Sequence, residues 1–149
     1  MNPTMMVPAL LVLVAGGLIA LQAPTNSLIA RAGGSAVLAA LISFAVGTVA
    51  LLVVWLAGGH RPRAAAFAGL PWYAWIGGFY GATFVAVAAY AAPRIGLASL
   101  ITIGIAGQIV VAMCLDQLGA LGLPRDPISV VKLLGAMLVI AGVILVRIG

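Results

Sequence analysis

Residues 35–57 read SAVLAALISFAVGTVALLVVWLA, a run without a single charged side chain. A membrane helix needs about 20 mostly apolar residues to cross a hydrocarbon core of about 30 Å, and this run supplies them. Working outward, four further runs of the same kind appear at about 5–23, 72–92, 97–115 and 128–146. The breaks between them carry the turn chemistry and nearly all the charge. They read Gly33-Gly34, then Gly58-Gly59-His60-Arg61-Pro62-Arg63, then Pro93-Arg94-Ile95-Gly96, then 116–127. A transmembrane β-barrel would alternate apolar and polar residues in segments of about 10, and these runs do not. The expected fold is an all-α membrane protein, one domain of five transmembrane helices over residues 1–149.

Composition agrees. Hydrophobic residues make up 65% of the 149 and charged residues only 6%, with a mean hydropathy of +1.31. A soluble domain carries about 25% charged residues, so this chain cannot coat a water-soluble globule. Intrinsic disorder is excluded by the same numbers. A disulfide scaffold is excluded because Cys114 is alone. The pI of about 10.4 does not imply nucleic acid, because the seven basic residues stand singly between apolar runs.

The first run resembles a secretory signal only superficially. Met1-Asn2-Pro3-Thr4 holds no Lys or Arg, and no good Ala-x-Ala site follows, so it is read as a retained helix. Its end is open: Pro24 stops it, or it kinks there and runs on to about residue 32. With five spans, the side of the N-terminus holds Arg61, Arg63, Arg125 and Lys132, and the other side holds Arg31, Arg94 and Arg147. Four against three barely fixes an orientation under the positive-inside rule. Either other signals set one orientation, or the chain inserts both ways and pairs with an inverted copy of itself.

Small residues mark faces where helix backbones can approach. Ala36, Ala39, Ser43, Gly47 and Ala50 line one face of the second helix, and Gly77 and Gly81 form a small-xxx-small pair on the third. On the fifth, Gly135-Ala136 and Ala141-Gly142 recur one heptad apart, and Gly135 and Gly142 are assigned to a subunit interface.

Polar groups inside hydrocarbon need a partner, so they face other helices or water. Gln22 and Asn26 share a face around Pro24, either as a substrate contact beside a broken helix or as a turn at a helix end. Tyr80, Thr83 and Tyr90 share a face of the third helix. Gly104, Gln108, Ala112 and Asp116 form a stripe on the fourth. Gln108 is either a cavity position, the reading taken here, or an interhelical hydrogen bond. Asp116 is either a helix cap or a coupling group, and Arg94 either snorkels to head groups or closes a cavity mouth. Trp72, Tyr73 and Trp75 read as an interfacial aromatic belt.

Several chemistries lack their residues. One His and one Cys far apart make no metal site, no phosphate-binding loop of the Walker type exists, and His60 has no catalytic company. No cofactor, metal or enzymatic activity is expected. Both acids, Asp116 and Asp126, stand at or beyond a helix end, so no ionisable group sits at mid-membrane to couple protons.

An ordered set of motifs resembles a known family. It comprises Gly16-Gly17-Leu18-Ile19-Ala20-Leu21-Gln22-Ala23-Pro24-Thr25-Asn26, Ser43-Phe44-x-x-Gly47, and Pro71-Trp72-x-x-Trp75-x-Gly77-Gly78-x-x-Gly81. Pro93-Arg94-x-Gly96, Gly107-Gln108, Asp116-Gln117-x-Gly119-x-x-Gly122, Gly135 and Gly142 complete it. Together they are similar to the YdcZ-type branch of the drug/metabolite transporter superfamily. Gln117 departs from the aromatic or His expected after the aspartate, which leaves the role of that corner open. The resemblance implies a half-size, five-helix unit in a bacterial cytoplasmic membrane, found as dual-topology homodimers, paired genes or fused ten-helix proteins. The buried Glu of the superfamily's smallest members has no counterpart, since Glu is absent.

The resulting expectation is a transporter of uncharged or amphiphilic small molecules, working by alternating access as an antiparallel homodimer in the lipid bilayer. Gln22, Asn26, Tyr80, Thr83 and Gln108 are the expected lining, with Arg94 and Asp116 as gate or coupling groups. The other reading is a membrane scaffold or assembly subunit that transports nothing.

Overall fold

Pro24 does not end the first helix. In the computed structural model, which describes residues 3–59 and 62–148 (without the side chains of 3–5, 9, 64 and 66), α1 runs unbroken over Pro3–Gly33 with Pro8 and Pro24 inside it. A proline deprives the carbonyl four residues earlier of its donor. Membrane helices tolerate this where local side chains re-satisfy the backbone. Pro24 takes the donor from the Ala20 carbonyl, and the neighbouring Thr25 hydroxyl donates back along the helix to the carbonyls of Leu21 at 3.0 Å and Gln22 at 2.9 Å. The longer of the two expected ends is the one observed, and the reading of Gln22 to Asn26 as a terminal turn is overturned. His60 and Arg61 of the loop, with Met1, Asn2 and Gly149, lie outside the described residues.

The remaining helices are α2 (Ala36–Ala57), α3 (Gly77–Ile95), α4 (Leu97–Leu118) and α5 (Val130–Ile148), and no strand occurs among the described residues. Gly34 turns the chain between α1 and α2 at φ 70°, a conformation that favours glycine. Ser35 then caps α2, its hydroxyl accepting from the Leu38 N–H at 3.2 Å.

α3 begins five residues later than the apolar run suggested. Trp72–Trp75 forms a 3-10 turn and Ile76 leaves helical geometry, because Gly77-Gly78 propagates a helix poorly toward its N-terminus. It also ends later, carrying Pro93 and Arg94 within its last turn, so the expected four-residue turn shrinks to Gly96 at φ 81°. Among the described residues, four helices are long and apolar enough to cross a membrane by themselves: Met6–Gly33 of α1, then α2, α4 and α5. α3, with its three glycines, two tyrosines, threonine and arginine, is not among them.

The chain divides into two units, residues 1–94 and 95–149. In the first, α1 packs on α2. Its buried apolar residues are Ala23, Ala39, Ala40, Val85, Ala88 and Ala89, almost all alanine. Lipid tails are as apolar as any side chain, so close backbone approach through small residues drives such packing. The expected small face of α2 is the one used, with Ala39 buried and Ala36, Ser43 and Gly47 half-buried. Of the glycine pair on α3, Gly81 meets the Phe44 ring: a Cβ there would lie 3.2 Å from it. A Cβ on Gly77 would meet nothing within 4 Å.

In the second unit α4 packs on α5, with Ala136 the buried residue of α5. Gly119 closes α4 in the left-handed conformation, φ 61°, its N–H donating to the Leu115 and Asp116 carbonyls. The link to α5 is pinned at three points. Gln117 accepts the Ile128 N–H on its side-chain oxygen at 2.7 Å, Arg125 Nε donates to the Gln117 carbonyl at 3.1 Å, and the Asp126 N–H donates to the Asp116 carbonyl at 2.9 Å.

Candidate functional site

Depth along the bilayer decides what a polar side chain on α1 can do. α1 ends at Gly33 and α2 begins at Ala36, so the Gly34-Ser35 turn marks one end of the first unit. At about 1.5 Å per residue, Gln22 lies about 16 Å below that turn and Asn26 about 10 Å. For a core of about 30 Å, Gln22 stands near mid-membrane. Ser43, eight residues along α2 from its cap, comes to about the same depth, and Gln22 Nε2 donates to Ser43 Oγ at 3.2 Å. The two line a groove of about 180 Å³ with Phe44, Gly47 and Thr48.

Asn26 is one turn from Gln22 and is buried to 4% exposure. Its Nδ2 has no hydrogen-bond partner. A buried polar group without a partner forfeits about 1–3 kcal/mol, so few survive in native structures. On the helix wheel Asn26 falls between Gln22, which reaches α2, and Ser27, which reaches α3.

Ser27 supplies the link to α3. Pro93 lacks an N–H, so the carbonyl of Ala89, four residues earlier, has no donor within its own helix. Ser27 Oγ donates to that carbonyl at 3.0 Å, sharing its proton with the Ala23 carbonyl at 2.8 Å. Ser27 and Ala89 are both buried. A helix-breaking residue on one segment is thus answered by a hydroxyl on another.

The expected lining residues do not converge within the first unit. Thr83 borders a different groove, of about 370 Å³, along Phe79, Val37 and Ala40, and its hydroxyl donates to the Phe79 carbonyl at 2.9 Å. The Phe44 ring belongs to both grooves. Tyr80 is exposed and lines neither groove. Gln108, in the second unit, is exposed on α4 and makes no hydrogen bond among the described residues.

Arg94 lies on the last turn of α3. Its guanidinium carbon stands 3.6 Å from the Tyr90 ring centroid, and NH1 donates to the Tyr90 carbonyl. Asp116 lies at the far end of α4, about 28 Å of helix beyond Leu97. Its backbone carbonyl receives the capping bonds, while its carboxylate forms no ion pair among the described residues. The ion pair that does form joins Lys132 and Asp126 at 2.5 Å. Gly135 and Gly142 share a side of α5, and a Cβ on either would meet nothing within 4 Å. Packing within the second unit therefore does not account for these two glycines. No cluster of His, Cys, Asp or Glu able to hold a metal exists among the described residues.

Sequence reading missed Ser27, missed Ser43 as the partner of Gln22, and left the role of Gln117 open. Pro93 was the available signal for Ser27, since a proline inside a membrane helix demands a donor from elsewhere. Gln117 has a structural role, tying the α4 end to the α5 start, which no spacing rule announces.

No curated protein and no solved structure matches the chain. The family described as "Putative inner membrane exporter, YdcZ" matches residues 7–145. The match takes in the α1 polar face, the Arg94 corner and the glycines of α5 alike. With its four apolar spans among the described residues and this near-complete match, the chain is an inner-membrane protein and belongs to the YdcZ family of the drug/metabolite transporters.

Proposed function

We propose that the chain exports small uncharged or amphiphilic molecules as an antiparallel homodimer working by alternating access. The observation that carries this reading is the Asn26 amide, buried and without a partner inside an alanine-lined unit. Such a group is retained at a loss of stability, and a ligand that completes its hydrogen bonding recovers that loss on binding. Gln22 and Ser43, one turn away at mid-depth, offer further neutral donors and acceptors. Neutral amides and hydroxyls among alanines suit a neutral or amphiphilic molecule better than a compact ion. Nothing in this set supplies a nucleophile with a base, so the reading is transport and not catalysis.

The dimer enters through what the second unit leaves uncovered. Gln108 exposes an amide on a membrane helix, and Gly135 and Gly142 leave open strips on another. Each is costly or purposeless against lipid and makes sense against a second chain. The near balance of basic residues permits that chain to be inverted, and inverted copies make inward and outward states equivalent. α3 serves as the fifth crossing in this reading. Its C-terminal Arg94 and α1's Arg31 line one cavity, so α3 returns over the length that α2 travelled.

A scaffold subunit is the second reading, and one observation favours it: Gln22 already has Ser43 as a partner and needs no substrate. Asn26→Leu separates the two, because leucine keeps the volume and deletes the polar atoms. Proteoliposomes loaded with a panel of fluorescent amphiphiles should lose efflux in the variant while unfolding stability holds or rises. A variant that exports like the parent, or a stability loss above about 1 kcal/mol, would contradict the assignment.

A further inference from the structure

α1 ends, α2 begins and α3 ends around one cavity of about 400 Å³. Ser27, Arg31, Ser35, Tyr90, Pro93 and Arg94 are among its lining residues. Two arginines therefore line one space. The first 94 residues contain neither Asp nor Glu, so this unit holds no carboxylate side chain to balance them. Like charges sharing a cavity raise each other's energy unless an anion lies between them.

Each arginine has a simple explanation taken singly. Both stand on a last helical turn, where the helix dipole favours a cation. That account explains neither the cavity between them nor the way Arg94 is held. Tyr90 fixes the Arg94 guanidinium by its ring and its carbonyl, and that uses one N–H of the five. Arg31 is exposed and makes no hydrogen bond or ion pair among the described residues. The start of α2 adds a third positive element, since the first-turn N–H groups of a helix have no acceptor inside it. Pro93 and the alanines of the lining give the cavity an apolar flank beside its cationic one.

We infer that this cavity binds a phosphate group. Guanidinium forks match phosphate oxygens in pairs, and two forks on one cavity can hold both sides of one phosphate. The phosphate can belong to the head group of an anionic lipid, since the cavity lies at the end of three helices, or to a soluble phosphate ester. The inference is independent of export, because a scaffold would hold the same anion.

The test uses the full chain purified in dodecylmaltoside, and its two arms separate the sources. In the first arm, native mass spectrometry compares retention of phosphatidylglycerol with that of phosphatidylcholine. In the second, thermal unfolding is followed against glycerol 3-phosphate, inorganic phosphate and chloride. Arg31→Gln/Arg94→Gln should lower the responding affinity at least about tenfold, the scale of one charge-assisted contact. Arg63→Gln/Arg147→Gln, which removes the same charge elsewhere, should leave it within about twofold. A response in the lipid arm alone assigns the site to a head group, and a response in the soluble arm assigns it to a free phosphate ester. If the first double variant does not fold, Arg31→Gln alone carries the test, since its guanidinium has no partner to lose. Equal losses in the two double variants, or a parent that prefers neither anionic phosphatidylglycerol over zwitterionic phosphatidylcholine nor the soluble phosphates over chloride, would overturn the inference.

Discussion

Removing the Ser27 hydroxyl should destabilise the protein only while Pro93 is present. Ser27 Oγ stands 3.0 Å from the Ala89 carbonyl and 2.8 Å from the Ala23 carbonyl, and one proton serves both. Ala23 O also accepts its ordinary helical N–H, whereas Ala89 O has lost its own to Pro93. Ala89 is 2% exposed, so no solvent replaces the missing donor. Ser27→Ala then strands a buried carbonyl. Interhelical hydrogen bonds in membranes average about 0.6 kcal/mol and reach about 1.7, and a carbonyl without an alternative belongs in the upper half, about 1 kcal/mol. Pro93→Ala returns an N–H to the Ala89 carbonyl, and in that background Ser27→Ala should lose about 0.3 kcal/mol or less. The four proteins of this cycle can be compared by reversible unfolding in mixed micelles of dodecylmaltoside and sodium dodecyl sulfate. A coupling of about 0.7 kcal/mol or more is expected. Additive effects would show that Ser27 and Pro93 act independently and that the carbonyl finds another donor.

Gly119→Ala should destabilise by about 1–2 kcal/mol in the same assay, because φ is 61° and the new Cβ would stand 3.2 Å from the Arg125 side chain. A neutral result would mean that the α4 end rearranges freely. Gly135→Leu/Gly142→Leu should leave the subunit's own unfolding unchanged, since neither position has a neighbour within 4 Å, yet shift the purified protein toward monomer in light scattering. An unaltered dimer would move the interface to another helix.

Helix number and rough position were legible because apolar runs of membrane length have no soluble alternative. The ends were less so. The α1 end could not be settled from Pro24 alone, because a membrane proline either stops a helix or is carried within it, as here. The α3 start was misplaced because Trp72, Tyr73 and Trp75 extend hydrophobicity past the point where Gly77-Gly78 lets the helix form. For the site, spacing correctly put Gln22 and Asn26 on one face. It could not show that Gln22 has Ser43 and that Asn26 has nothing, since partners lie across helices and not along them. Thr83 lines a groove that meets the Gln22 groove at the Phe44 ring, and Tyr80 lines neither. Arg31 and Arg94 are 63 residues apart, and no local pattern relates them until the ends of α1 and α3 meet.

The account's central claim is an inverted pair of identical chains, and sidedness tests it most directly. Cys114→Ala removes the native thiol, and single cysteines at Ala65→Cys and Leu123→Cys then report the two loops on the side of the N-terminus without altering any charge. Cells are treated with an impermeant maleimide before or after permeabilisation. The four-to-three balance of basic residues predicts two populations at each position, one labelled from outside and one only after permeabilisation. Labelling of each cysteine from a single side throughout the population would contradict the antiparallel dimer.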